Sequence, residues 1–315
     1  MPIYTTQVPQ EEIANDAANG LFLAEELVQY KKREREVEYA PLKARDVIPA
    51  DAENVDPAAE EVRYVVLDRV GAFKVISDYS EDLPSIDVNA KEFKSPIEPI
   101  GGSITYSPEE VAKGRLAGRD VVSKKQRAVD RAGEEKINSI AWYGIKEKNI
   151  PGFLSNPNIP TISASGGTFW RDKAGDDILL DMNTVTNTVR TNTKTVETPD
   201  TMLLPPSIFD LIMTKRLVDI DTTVMKFFME HNRYIKNIEW VPELETASAA
   251  GGPLAVVYRR SPDVLGLAVP QEITPDQPYR KPRHWLVNYT GKVGGTIVYL
   301  PLACQFMDTI GPVPA

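Results

Sequence analysis

The side chains most often used in catalysis or metal binding are few and scattered in this sequence. His231 and His284 are far apart in segments that suit packing, and Cys304 lies in the apolar run LPLACQF, which is typical of a buried strand. One cysteine and two separate histidines cannot supply the ligands of a structural zinc site. A thiol buried among apolar groups stays protonated and is a poor nucleophile. We therefore expect no metal centre and no catalytic cysteine.

Motifs that bind phosphate or activate a nucleophile are also missing. The sequence has no Gly-x-Gly-x-x-Gly after a strand, no loop ending in Gly-Lys-Ser/Thr and no Gly-x-Ser-x-Gly elbow. The run KVGGT at residues 292–296 has the wrong order and spacing for a phosphate loop and is expected to be a hairpin turn. Neighbouring acids such as Asp176 and Asp177 are typical of helix starts. The sequence thus predicts no catalytic, cofactor-binding or metal-binding residue, and a structural role rather than an enzyme.

The composition is that of a folded soluble protein with an acidic balance. Of the 315 residues, 42% are hydrophobic and 26% are charged, and the formal net charge is −9. No stretch approaches the roughly 20 apolar residues of a membrane span, and the amino terminus lacks the features of a signal peptide. We expect a cytoplasmic protein without a membrane partner. The acidic balance argues against tight, sequence-specific nucleic-acid binding but permits a container that encloses nucleic acid.

A segment that favours β-strands covers residues 63–106. Residues 64–67, 72–76 and 103–106 have strand propensity, and two long strands joined near residues 80–87 would form a hairpin. A two-stranded ribbon is only marginally stable alone in water. We therefore expect the ribbon to rest on another surface, that of a neighbouring copy of the chain.

A long polar helix is predicted directly after the ribbon, from Ser107 to about Gly144. Ser107 can cap the helix, Pro108 suits the first helical position and Glu110 completes a capping box. Apolar residues then recur every three or four positions on an otherwise charged rod, without a proline. One uninterrupted helix of this length would measure roughly 55 Å. The pattern lacks the leucine seam of a coiled coil and indicates a surface helix with one buried stripe.

The remaining segments divide into an arm, a mixed middle part and a closing part. A helix over residues 11–36 and a proline-rich stretch after it indicate an arm, and an irregular connection over residues 152–167 fits a domain boundary. The middle part is an α/β layer, with helices predicted at 176–193, 206–217 and 222–232 and strands at 201–204, 237–241 and 254–259. The last strands, at 284–289, 295–300 and 304–307, are expected to form an antiparallel closing sheet.

This order of elements resembles the major capsid protein of tailed bacteriophages, whose fold is shared with encapsulin shells. The resemblance is carried by DYSEDLP at residues 78–84, IAWYG at 140–144, GFLSNPNI at 152–159 and WLVNYTGKVGG at 285–295. It implies an α+β fold. The implied parts are an N-terminal arm (1–61), an extended β-hairpin loop (62–106), a peripheral domain with the spine helix (107–149 and 281–315) and an α/β axial domain (150–280).

The resemblance also implies a function. Copies of the chain would assemble through pentamers and hexamers into an icosahedral shell around double-stranded DNA, with the β-loop lying over a neighbouring subunit. The candidate buried contacts are Phe73, Ile76, Ile86, Val88 and Phe93, and the candidate rim charges are Lys74, Asp82, Lys91 and Lys94. Ordinary packing within one subunit is the alternative for these residues.

Partners follow from the same resemblance. The residues before the ribbon are too few for a full scaffolding domain, which suggests a separate scaffolding protein. A portal, an additional decoration protein and non-specific contact with packaged DNA complete the expected set, and no cofactor is implied. Two other functions stay open: an encapsulin-like compartment that loads an enzyme, and a cofactor-free α/β enzyme with His231 and nearby acids in residues 150–280. Closed shells seen by electron microscopy would exclude the enzyme.

Overall fold

The computed structural model describes residues 39–53, 55–75, 83–218 and 220–313 of the chain. The helix expected at residues 11–36 lies outside these ranges. The first described helix is α1 (Ala44–Val47). Residues Leu42–Ala315 form one compact unit.

The predicted ribbon is present, but its strands end earlier than expected. Strand β1 (Glu61–Val70) pairs antiparallel with β2 (Asp87–Pro96) over the whole length of both. The strand expected at residues 72–76 is wrong over its described part, because residues 71–75 are not in a strand. Gly71 has a φ of +121° and turns the chain out of the ladder. After β2, the chain continues into β3 (Glu98–Tyr106).

The single long helix expected from Ser107 to Gly144 is wrong in its middle. The chain forms two helices, α2 (Pro108–Leu116) and α3 (Val121–Tyr143). The predicted start is confirmed, since Ser107 Oγ accepts a hydrogen bond from the amide of Glu110 at 3.1 Å. With 23 residues, α3 is about 35 Å long rather than 55 Å.

The backbone conformation at Gly118 explains the break between the two helices. Gly118 has a φ of +69°, and its amide donates to Arg115 O at 3.1 Å while the amide of Arg119 donates to Gly114 O at 2.7 Å. This pair of bonds is the Schellman motif that ends helices. The side chain of Asp120 then caps α3, because its Oδ1 accepts a hydrogen bond from the backbone amide of Ser123 at 3.2 Å. The C-terminal motif of α2 and the N-terminal cap of α3 are therefore adjacent in the sequence. These caps end one helix and begin the next, although the stripe of apolar residues continues through both.

The middle of the chain alternates helices and strands, and the predicted elements are confirmed there with small shifts at their ends. The predicted elements are α4 (Gly175–Asn192), β5 (Thr201–Leu204), α5 (Pro206–Thr214), α6 (Val224–His231), β6 (Asn237–Trp240) and β7 (Ala255–Tyr258). Two strands that were not predicted, β4 (Thr161–Ser163) and β8 (Leu265–Ala268), come before and after them.

The last strands do not form one closing sheet, and that expectation is wrong. They are β9 (Gln271–Pro275), β10 (Tyr279–Arg280), β11 (Trp285–Val293), β12 (Gly295–Val298) and β13 (Cys304–Asp308). β11 pairs with β3 on one side and with β9 and β10 on the other, whereas β12 pairs with β8. β13 enters a five-stranded sheet of order β4-β13-β7-β5-β6. Gly295, with a φ of +76°, turns the chain from one sheet into the next.

The five-stranded sheet separates two hydrophobic cores. On β7, Val256 and Tyr258 belong to a core that includes Trp142 of α3, whereas Ala255 and Val257 belong to a core built on α4, α5 and α6. This division follows the period of two along a strand. A sheet buried on both faces explains why these strands are continuous apolar runs in the sequence.

Cys304 is completely buried at the start of β13, within the core around Trp142. Burial raises the pKa of its thiol far above the ordinary value. The expected inert core thiol is therefore confirmed in its position, since the reactive form of a cysteine is the thiolate.

Candidate inter-subunit surface

The ribbon is the most exposed apolar part of the described chain. Every described residue from 65 to 75 and from 83 to 92 is exposed. Leu67 is 67% exposed and Phe73 is 94% exposed. Exposed apolar residues are ordinary when they are single, but a contiguous set marks an interaction surface. The subunit therefore carries an unburied hydrophobic surface on a strand pair.

The strand register divides the ribbon into two faces, because residues opposite each other in an antiparallel pair project to the same side. One side, which we call the apolar face, carries a central set of apolar side chains flanked by charged ones. The central set is Val65, Leu67, Val88 and Ala90, and the flanking set is Arg63, Arg69, Glu92 and Lys94. The other side, the inner face, carries the pairs Tyr64 with Phe93, Val66 with Lys91, Asp68 with Asn89, and Val70 with Asp87.

The inner face is fixed to the body of the subunit at its base. Tyr64 stacks on Phe93 with ring centroids 5.3 Å apart and meets the edge of Tyr299 at 4.8 Å. The Tyr299 hydroxyl donates to the carboxylate of Asp51, whose two oxygens lie 2.8 and 2.9 Å away. Burial raises the pKa of both phenols, and the bond to Asp51 raises the pKa of Tyr299 further. These contacts orient the ribbon without covering its apolar face.

The residues predicted from the sequence as subunit contacts fall into three places. Val88 and Lys94 lie on the apolar face. Lys91 and Phe93 lie on the inner face, where the Lys91 ammonium is 4.9 Å from the centroid of the Phe93 ring. Phe93 is half-buried by contacts within its own subunit, in line with the alternative of ordinary packing.

Phe73, Lys74 and Ile86 lie in the segment that joins the two strands, and all three are exposed. Ile76 and Asp82 lie outside the described residues. Nothing in a single subunit tests whether any of these residues contacts a neighbour, so these assignments stay predictions.

Sequence reasoning missed Val65, Leu67 and Ala90, which form most of the apolar face. The run from Tyr64 to Leu67 is apolar at every position. It shows no alternation of apolar and polar residues that would assign each side chain to one face of the strand. The available signal was the partner strand, whose alternation Val88, Asn89, Ala90, Lys91 distinguishes the two faces once the register is known.

The side chains considered for catalysis do not converge. His231 is used locally, with its Nδ1 3.0 Å from Phe227 O and its ring stacked on Phe227 at 4.1 Å. Within the described ranges, no group of three or more His, Cys, Asp or Glu side chains could hold a metal ion. No helix in the same ranges is long and apolar enough to cross a membrane.

Solved structures share this fold across almost the whole chain. A chain from the capsid of the Myoviridae phage XM1 superimposes with a TM-score of 0.81 at 15% identity, covering 91% of this chain and 98% of that chain. A chain of the Mycobacterium phage Adephagia gives 0.63 at 12% identity, covering 97% and 100%. A virus-like particle from Pyrococcus furiosus gives 0.53 at 13% identity, covering 84% and 91%. These matches define the class as the phage capsid fold.

The family model described as Major capsid protein matches residues 71–310. The chain therefore belongs to the major capsid protein family and is a structural protein of the bacteriophage capsid. The α+β fold implied by the sequence motifs is confirmed by the same comparisons. No curated protein matches the chain. Membership of this family supports association of the chain with other copies of itself.

Proposed function

We propose that the chain assembles through pentamers and hexamers into an icosahedral shell that encloses double-stranded DNA, and that the apolar face of each ribbon lies on a neighbouring copy. The observation that carries this proposal is that every residue in 65–75 and 83–92 is exposed in the single subunit. An isolated strand pair with exposed valine and leucine gains stability only when another surface covers it.

A second copy is the occupant that fits best. In a closed ring, each subunit offers one surface and accepts a different one, so a projecting ribbon on one copy requires a receiving surface on the next. The flanking charges Arg63, Arg69, Glu92 and Lys94 surround the apolar centre as a polar rim surrounds the core of an interface. Ring closure then repeats the same contact around each pentamer or hexamer.

The domain division is part of the proposal. Residues 1–61 serve as the arm, 62–106 as the extended loop, 107–149 and 281–315 as the peripheral domain, and 150–280 as the axial domain around the ring centre. The hydrogen bond from Thr296 Oγ1 to Ala141 O at 2.8 Å supports the return of the closing part to the spine helix of the peripheral domain, whereas β13 joins the sheet of the axial part.

The assembly partners are also proposals. A separate scaffolding protein, a portal and a decoration protein would act with the shell, which assembles in the cytoplasm of the bacterial host. DNA contact is non-specific, in keeping with the net charge of −9. We assign no enzymatic activity to the chain.

An encapsulin-like compartment is the second candidate. The observation that favours it is the match to the virus-like particle from Pyrococcus furiosus, with a TM-score of 0.53 against 0.81 for the phage XM1 capsid chain. A compartment would enclose a protein, whereas a phage shell encloses DNA. The two functions are distinguished by nuclease treatment of shells purified from infected cells: protected DNA would support the phage function, and its absence would favour the compartment.

The proposal is tested by negative-stain electron microscopy and size-exclusion chromatography of the full-length recombinant protein. We expect closed shells, rings or tubes. The variant Leu67→Asp places a charge on the apolar face and should abolish these assemblies while the subunit stays folded. Val66→Asp is the matched control, since Val66 is exposed on the opposite face of the same strand and lies across from Lys91, and it should assemble. A uniform monomer of the wild-type chain, even with a co-expressed scaffolding protein, would contradict the proposal.

A further inference from the structure

Gly102 in the middle of β3 has no evident role within its own subunit. Its φ is not positive, and a Cβ added there would meet no atom within 4 Å. Tyr289, its partner across the sheet, therefore does not cover it. Glycine in the interior of a strand weakens the strand and often marks a place where another chain approaches closely. Gly102 thus points to a contact beyond the single subunit.

An apolar groove opens at this position between β3 and α3. Gly102 shares a face of β3 with Ile100 and Ile104, which both pack inward. The groove has a volume of about 620 Å³. Its lining combines the apolar residues Ile100, Val129, Ala132, Ile145, Ile273 and Tyr289 with the charged residues Glu98, Lys136, Glu147 and Lys148. The missing side chain at residue 102 leaves room for a large apolar group.

We propose that this groove receives the Phe73 side chain of a neighbouring copy; the inference rests on the proposed shell function and names the receiving site of the ribbon. Phe73 is 94% exposed, and the segment that carries it directly follows β1. Its contact would therefore be continuous with the proposed contact of the apolar face.

The dimensions agree with this assignment. The ten residues of β1 span about 33 Å, so a side chain beyond Val70 is carried well away from the base of its own ribbon. The larger cavity of about 960 Å³ is lined by Tyr64, Val66 and Phe93 of the ribbon's own inner face. The groove at Gly102 has no ribbon residue in its lining.

Filling the groove tests the receiving site. Gly102→Val adds a branched side chain that the subunit has room for, so the thermal midpoint of the unassembled subunit should stay the same or rise. Shell yield, counted by electron microscopy, should fall at least tenfold. Thr105→Val places the same side chain on the other face of β3, outside the lining of the groove, and should assemble like the wild type. Normal assembly of Gly102→Val would overturn the groove assignment and leave the proposed function standing.

Cross-linking tests the occupant. Cys304 is the only natural cysteine and is buried, so introduced thiols dominate the reaction. A short bismaleimide added to shells of Phe73→Cys, Ala132→Cys double-variant protein should give a ladder of linked subunits on a denaturing gel. Phe73→Cys with Asp130→Cys, which lies on the opposite side of α3, should give none. Absence of the ladder in intact shells would overturn Phe73 as the occupant. Failure of the wild-type chain to form any assembly, even with a co-expressed scaffolding protein, would instead overturn the proposed function, and this inference with it.

Discussion

At the scale of single residues, the most constrained charges are Lys173 and Asp181. Their side chains are only 5% and 2% exposed, and Lys173 Nζ lies 2.6 Å from Asp181 Oδ2. The same carboxylate accepts the Trp170 indole N–H at 2.9 Å and the amide of Ser165 at 3.1 Å. The group joins the irregular segment after β4 to helix α4. Buried charges are tolerated only when they are paired and hydrogen-bonded in this way.

Removing one partner of this pair should destabilise the subunit strongly. Lys173→Met leaves the Asp181 carboxylate buried without its counter-charge, and we expect the free energy of unfolding to fall by about 3–5 kcal/mol. Urea denaturation of the unassembled subunit measures the change. Arg216→Ala is the control, because the Arg216–Asp221 pair is 74% and 88% exposed and should contribute at most about 1 kcal/mol. Equal decreases in the free energy of unfolding for both variants would contradict the strong contribution assigned to the Lys173–Asp181 pair.

At the scale of elements, Arg45 links three parts of the fold. Its guanidinium on α1 contacts Glu134 of α3 at 2.9 Å and Glu272 of β9 at 2.7 Å. The hydrogen bond from Arg45 is the main reason that the pKa of Glu272 lies below its ordinary value. A carboxylate with a lowered pKa stabilises the fold above its ordinary pKa, and this contribution is lost as pH falls through the lowered value.

Arg45→Ala should therefore lower the free energy of unfolding at neutral pH, by about 0.5–1 kcal/mol because the pair is partly exposed. The difference from the wild type should shrink below pH 4.5, the ordinary pKa of glutamate, as Glu272 protonates. Denaturation of unassembled subunits from pH 7 downward measures it. Lys226→Ala, which removes only a within-helix pair at 4.0 Å, should show a smaller effect. A difference that grows on acidification would refute the role of Arg45.

The two helices α2 and α3 show which element boundaries sequence can predict. The cap at Ser107 was predicted correctly, since a capping box depends on residues close in sequence. The break at Gly118 uses equally local residues, yet the apolar stripe on both sides favoured one continuous helix. The close packing of Gly114 against Val121, where a Cβ would come within 2.6 Å of Val121 Cγ2, is a tertiary constraint that no periodicity reveals.

At the scale of the whole molecule, assembly should change the accessibility of the ribbon. Lys74 lies in an exposed segment outside any strand, so trypsin should cut unassembled subunits there quickly. We expect cleavage at least tenfold slower in shells, because a neighbouring copy covers the segment. Mass spectrometry of timed digests identifies the cut. The non-assembling Leu67→Asp variant is the control and should stay sensitive, whereas equal rates in shells and free subunits would contradict coverage of the ribbon.

The sequence by itself determined the element types in the middle of the chain, the presence of a strand ribbon, the buried Cys304 and, through its motifs, the family. These properties depend on helix caps, on the alternation of apolar and polar residues and on short apolar runs. All of these involve residues that are close together in the sequence. Only the tertiary structure decided that β11, β12 and β13 enter three different sheets and that Phe93 faces its own subunit while Leu67 does not. The physical reason is that strand pairing joins distant residues, and a strand shows its faces only once its partner and register are known.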